Sequence, residues 1–244
     1  HPSGLFWFHP HIHGLSLNQL SAGMAGIITV GDPTDYQCTT TACKTFTSKL
    51  KVRHLLLRDA QVLADGTLQT QQDPGFCDPL PSPTEAPRNG HCAGADTTAA
   101  SGPNYTGGNW VFSLNGQRFP TITLGSQGEV WRLVNASGSV SYELALTDRT
   151  NNRDLVMQVM AVDGVAVSVP TTVSATNTAT IAGKKFHMVT CPTDIAAHKK
   201  AGDPVPLCAD SLIMMPSSRV EVYVAYRRSE ERRVGKECLR LCRS

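Results

Sequence analysis

The 244-residue chain has no run of about 18 apolar residues, which excludes a membrane-crossing helix. It has no CxxC, and no cysteine other than Cys92, next to His91, stands beside a histidine, so zinc-type spacing is poor. There is no phosphate-cradling glycine loop, because Gly23-Met24-Ala25-Gly26 is too short, and no nucleophile elbow. No stretch repeats apolar residues at helical spacing between caps. An excess of one charge is missing too. The formal net charge is +2, but six of the 22 basic residues and only three of the 20 acidic ones fall in the last seventeen positions. The remaining 16 basic against 17 acidic residues leave no nucleic-acid footprint.

Those last positions, RSEERRVGKECLRLCRS (residues 228–244), follow a strand-like run abruptly and show no apolar periodicity. RSEERRVGKEC resembles a reading frame of a short-read sequencing adapter, with LRL where a sample index falls and CRS resuming it. The segment is therefore expected to be non-native and outside the fold, with natural sequence stopping near Arg227. The chain begins at His1 rather than Met, so its natural N-terminus is expected further upstream.

What is present reads as strands. The apolar run Ile27, Ile28, Val30 ends at Gly31-Asp32-Pro33, and a polar, Thr-rich loop (residues 37–48) follows. HLLLRDAQVLADGTLQT carries β-type runs on both sides of an Asp-Gly turn, and WVFSLNGQRFPTITL reads as two strands about Asn115-Gly116. GEVWRLVNAS alternates as a partly buried strand does; YELALTD, LVMQVMAVDGVAV and SLIMMPSSRVEVYVAYR add more. Residues 70–108 form a long Pro, Gly, Asn and Thr loop. The expectation is an all-β chain of sandwich or barrel domains. Residues 1–48 are the end of one domain, 49–227 a second, and 228–244 the tail.

Six cysteines lie outside the tail in three local pairs, Cys38 with Cys43, Cys77 with Cys92 and Cys191 with Cys208, each in or around a polar loop. Loop-stapling disulfides are the preferred reading over free thiols, and they imply an oxidising compartment, periplasmic or extracellular. Asn104-Tyr105-Thr106 and Asn135-Ala136-Ser137 fit the glycosylation triplet, a pattern frequent by chance.

The chemistry concentrates in FWFHPHIHG (residues 6–14), which holds three of the eight histidines. On a strand, His9, His11 and His13 share one face. Neutral imidazole is a general ligand for copper, zinc, iron or nickel. Two or three imidazoles supply part of a metal site, and the rest comes from elsewhere. Metal-free stacked histidines on a β-edge are the alternative. Trp7 and the phenylalanines are read as a dry wall around the ligands.

FWFHPHIHG, the downstream Gln19 and GMAGIITV resemble the second copper-binding segment of multicopper oxidases, the family of laccases and cuprous oxidases. NGQRFPTITL, GEVWRLVNAS, AVDG and MMPSSRVEVYV resemble that family's middle cupredoxin-like domain. The resemblance reaches Tyr226 and implies Greek-key cupredoxin-like domains in a bacterial three-domain oxidase. It places the ligand pair on His9 and His11, each on one copper of the binuclear type 3 pair within a trinuclear cluster. His13 has no ligand role in the pattern and is read as a neighbouring residue. The implied reaction is one-electron oxidation of a small substrate (a phenol, cuprous or another metal ion) at a type 1 copper, with dioxygen reduced to water at the cluster.

The departures are equally specific. No His-Trp-His-Gly, His-Pro-x-His-x-His or His-Cys-His segment occurs, so the type 1 copper thiolate is missing. His54, His91, His187 and His198 fall in none of these patterns, and Met188 is read as packing filler. No methionine-rich segment favours cuprous ion. The chain alone is expected to be inert, to lack parts needed to complete the cluster, and to hold copper weakly, more so below about pH 6. The type 1 and type 2 coppers are expected only in the full-length parent. The alternative is a non-catalytic cupredoxin-like copper-binding or copper-resistance protein.

Overall fold

The computed structural model describes residues 3–13, 15–63, 66, 68, 108–118, 120–138, 140–148, 153–167, 178–181, 184–193, 199–225 and 236–243. A two-stranded ribbon opens the chain: β1 (Gly4–Phe8) pairs antiparallel with β2 (Gly26–Val30), and α1 (Ser16–Ser21) lies in the connection. Two further short helices follow, α2 (Thr34–Gln37) and α3 (Thr41–Thr47). These correct the loop expected at residues 37–48. The signal was local but short: Thr40 caps α3, its Oγ1 accepting the Cys43 N–H.

Two sheets form the body. In chain order the strands are β3 (Lys51–Leu63), β4 (Gly108–Leu114), β5 (Thr121–Thr123), β6 (Glu129–Asn135) and β7 (Tyr142–Asp148). Then come β8 (Arg153–Asp154), β9 (Met157–Val162), β10 (Val165–Ala166), β11 (Thr178–Ile181) and β12 (Lys184–Val189). The last are β13 (Leu207–Ala209), β14 (Ser211–Met214), β15 (Arg219–Val224) and β16 (Lys236–Arg243). The larger sheet runs β11-β12-β13-β9-β15-β6-β3-β4 with β10 beside β9, and the smaller runs β14-β7-β16-β5 with β8 beside β7. Among the described residues every ladder is antiparallel except β3 with β6. The all-β expectation holds.

Strand alternation sorts the side chains by layer. Trp131 and Leu133 of β6, Val220, Val222 and Val224 of β15, and Leu144 and Leu146 of β7 lie in the main core between the sheets. The odd residues of β6 face that core. Its even residues face outward, where a partly solvated strand was expected, yet all seven are buried. The reason is tertiary. Phe46 of α3 packs with Val130, Tyr223 and Met160 on the outer face, and the ribbon's Leu5, Trp7 and Ile27 pack with Val134, Ala136 and Leu56. Residues 3–48 therefore cover a face that a lone sandwich would leave wet.

A buried polar latch joins the same layers. Arg132 Nε donates to Glu221 Oε2 at 2.7 Å, and the Tyr36 hydroxyl donates to that same oxygen at 2.5 Å. Burial of the phenol, with Glu221 beside it, pushes the Tyr36 pKa far up. Gln37 Nε2 donates to the Met160 carbonyl, and Lys199 Nζ donates to the Gln37 carbonyl at 2.6 Å.

Turn chemistry follows the sequence closely. Asn115-Gly116 and Asp163-Gly164 both have φ positive at both residues, as a type I′ turn requires. The first is not a simple hairpin, however: β4 belongs to the larger sheet and β5 to the smaller. The Asp65-Gly66 turn is described only through Gly66 and the Val62–Leu68 bridge. The tail, expected outside the fold, contributes β16, which pairs with β7 and β5. Ladder pairing runs through backbone N–H and C=O groups, so an extended segment without apolar periodicity can still add to a sheet.

Two expected disulfides are present, Cys38–Cys43 and Cys191–Cys208. Cys77 and Cys92 lie outside the described residues. Asn135 is fully buried and its amide donates to the Val140 and Met214 carbonyls at 2.9 Å each, which removes it as a glycosylation site; Asn104 is outside the described residues.

Candidate metal centre

The histidine segment does not continue β1. The ladder stops at Phe8 opposite Gly26, and Pro10 has no N–H to extend it, so His9, His11 and His13 lie in the connection leading to α1. The shared strand face is thus corrected, but the rings still form a row. Trp7 stacks on His9 with centroids 4.6 Å apart and planes 23° from parallel. His9 to His11 is 5.5 Å, and His11 to His13 is 5.6 Å edge-on.

His9 is half-buried, whereas His11 and His13 are exposed. His9 Nδ1 lies 2.8 Å from the Pro10 carbonyl, which only accepts, so Nδ1 carries the proton. In the neutral ring that leaves the Nε2 lone pair free, the state a metal requires. The Ser16 hydroxyl donates to the same carbonyl at 2.7 Å and fixes the acceptor in place. His9 and His13 open onto one cavity of about 330 Å³ bounded by Leu17 and Leu20 of α1 and by Ser137 and Ser217 from the body. His11 does not line it. The residue read as a bystander therefore shares a space with a predicted ligand.

The flanks are clamped. Arg58 Nη2 donates to the Leu20 and Ser21 carbonyls at 3.1 and 2.7 Å, and Arg219 Nε donates to the Leu5 carbonyl at 3.3 Å. Sequence reading passed over both arginines, since neither belongs to a motif. Beneath the cavity the Asp59 carboxyl accepts from the Ser137 hydroxyl and the Gly138 N–H; burial dominates and holds its pKa above the usual range. The Ser137 and Tyr142 hydroxyls are 2.7 Å apart. Gln19 Oε1 is buried and makes no hydrogen bond among the described residues.

The dry wall expected around the ligands is only half built. Trp7 is partly buried, but Phe8, Ile12, Leu15, Met24 and Ile28 are all at least 45% exposed, on and around the ribbon's outer side. Among the described residues no three His, Cys, Asp or Glu side chains come together to hold an ion. The segment offers donors for part of a site and no more.

The other described histidines, His54 and His187, stay apart. His187 Nδ1 is 3.1 Å from both Asp210 oxygens on the surface. His54 is exposed, with desolvation and then Arg132 pushing its pKa down. His91 and His198 lie outside the described residues. Met188 is buried in the main core, as a filler would be.

No family model matches the chain, and no curated protein is similar to it in sequence. Its fold is that of solved multicopper oxidases. The McoA multicopper oxidase of the hyperthermophile Aquifex aeolicus matches 92% of this chain at TM-score 0.53 and 16% identity. A laccase-like multicopper oxidase, CueO from Ochrobactrum sp., with oxidase activity towards lignin model compounds and lignosulfonate, matches 92% at 0.50 and 18%. A Campylobacter jejuni multicopper oxidase, a metallo-oxidase, matches 97% at 0.50 and 16%. The chain spans 34%, 34% and 37% of those three proteins.

Proposed function

We propose that this chain is part of a multicopper oxidase, with His9 and His11 as ligands to the type 3 copper pair of a trinuclear cluster. The carrying observation is the coincidence of fold and motif. HPHIH stands at the end of β1, with a free Nε2 on His9, in a chain that shares its fold with oxidases about three times its length. In that reading residues 1–48 end a first cupredoxin domain and 49–227 form a second without copper ligands. The apolar outer side of the ribbon then packs against parts of the parent beyond this chain.

The parent oxidises a phenol, cuprous or another metal ion in one-electron steps and reduces dioxygen to water. Bound copper supplies that electron chemistry. This chain's residues present and orient imidazoles. The Pro10 carbonyl holds the proton on Nδ1 of His9, Ser16 steadies that carbonyl, and Trp7 restricts rotation of the ring. The two disulfides favour a periplasmic or secreted location. No helix among the described residues is long and apolar enough to cross a membrane.

Three measurements test the reading. The chain alone should turn over neither phenol nor cuprous ion above free copper, and copper should bind weakly and be lost in His9→Ala. Tight binding that survives His9→Ala overturns the ligand assignment. Resequencing the source DNA past the Arg227 codon should replace RSEERRVGKEC with a frame reaching a His-Cys-His segment. A stop after a genuine charged tail would favour the copper-binding protein instead.

A further inference from the structure

We propose that Arg58 and Arg219, both from the two-sheet body, are positioning residues that preorganise the histidine segment. The copper part of this inference rests on the ligand assignment above; the part concerning the order of His9 does not.

The segment from His9 to Leu15 carries no helix or strand among its described residues, and its backbone bonds sit at its C-terminal end, where the Leu15 and Ser16 N–H groups donate to the Ile12 carbonyl. Its conformation depends on how its two ends are held. Arg219 holds the entrance. Its guanidinium uses three nitrogens on three carbonyls: Nε on Leu5 (3.3 Å), Nη1 on Ser217 (3.1 Å) and Nη2 on Asp163 (3.0 Å). The backbone of β1 is thereby tied to the start of β15 and to the turn after β9. Leu5, fully buried against Val134 and Ala136, supplies the apolar half of that anchor.

Arg58 holds the exit. The last carbonyls of a helix lack partners within it; in the six-residue α1 the Leu20 carbonyl accepts the Gly23 N–H at 2.9 Å and has a second lone pair to spare. Arg58 Nη2 takes the Leu20 and Ser21 carbonyls, so a cation from β3 closes the end of α1. Gly23 makes room for it. It has φ +106°, and a Cβ there would stand 2.8 Å from Arg58 Nη1. The first glycine of GMAG is therefore required by the turn itself, and a side chain there would also press on the guanidinium of an arginine 35 positions away.

The two arginines differ chemically, and that separates positioning from mere packing. A lysine can bring a single charged head to the Leu20 and Ser21 carbonyls. It cannot reproduce a planar fork on three carbonyls.

The test uses the copper-free chain first. Imidazole nitrogen NMR reads the His9 tautomer, and amide exchange reads residues 9–15. Wild type should show one Nδ1–H tautomer and slowed exchange. Arg58→Ala, Arg219→Ala and Gly23→Ala should average the tautomer and speed exchange. Arg58→Lys should restore the signal in part, and Arg219→Lys should not. Leu5→Ala is the stability control, since it loosens the same packing with both guanidiniums intact. In the copper arm, titration of Cu(II) should give affinity lower by roughly tenfold or more in the arginine variants. An unchanged His9 tautomer and exchange in both alanine variants overturns the proposal. So does an identical change in Leu5→Ala at matched stability. Ordered-to-averaged behaviour as expected, with no copper bound by any variant including wild type, supports positioning and removes the ligand assignment alone.

Discussion

The Trp7 indole lies flat on the His9 imidazole, 4.6 Å between centroids, at the point where β1 gives way to the histidine connection. Trp7 is itself wedged into the small cluster of Leu5, Val134 and Ala136, so the body's packing reaches His9 through one ring. Aromatic pairs of this geometry contribute about 0.5–1.5 kcal/mol beyond burial. Trp7→Ala should therefore weaken copper binding by about two- to tenfold, and Trp7→Phe by less. A copper titration of both variants decides it; equal affinities would show that the stack does not hold His9.

The Arg132–Glu221 pair is almost wholly buried, with side chains 4% and 1% exposed, and Glu221 Oε1 has no partner among the described residues. Removing one member strands a buried charge. Glu221→Gln should cost about 3–5 kcal/mol in urea unfolding, whereas Arg132→Met with Glu221→Leu should cost clearly less. Tyr36→Phe removes one donor to the carboxylate and should cost about 1.5–3 kcal/mol. A double variant as unstable as Glu221→Gln would mean that the layers need the charges themselves.

Asp203 supplies a pH dependence. Desolvation acts to raise its pKa but is outweighed by hydrogen bonds from the Thr40 hydroxyl and the Thr40, Lys200 and Thr39 N–H groups, which hold the carboxyl well below its usual range. A depressed folded-state pKa gives stability that is present above the unfolded carboxylate value, about 3.9, and is lost as pH falls through the folded value. Asp203→Asn should lower Tm at pH 7, and its gap from wild type should begin to shrink below about pH 4 and close only as pH falls through the folded-state value. Thr40→Ala, which also removes the α3 cap, should cost roughly 1 kcal/mol. A gap that is constant with pH would exclude this contribution.

The two disulfides close loops of different length, with sequence separations of 17 for Cys191–Cys208 and 5 for Cys38–Cys43. By loop entropy the longer should contribute about 1 kcal/mol more. Serine pairs at each site, compared by thermal unfolding under oxidising conditions, test the order.

The sequence by itself determined the features that repeat locally. Two-residue alternation marked most strands because successive side chains must point to opposite faces. Asn115-Gly116 and Asp163-Gly164 marked turns because few residues accept positive φ twice. The paired cysteines and HPHIH were equally legible, being chemistry written in consecutive positions. Only the tertiary structure decided the rest. The full burial of β6 depends on a cover of residues 3–48, and the latch on Glu221, 185 positions from Tyr36. The row of rings from Trp7 to His13 follows from a strand that ends at Phe8, and its clamps are arginines no motif contains. Alternation specifies which way a side chain points. What it meets there is set by packing between segments far apart in the chain, which no local pattern encodes.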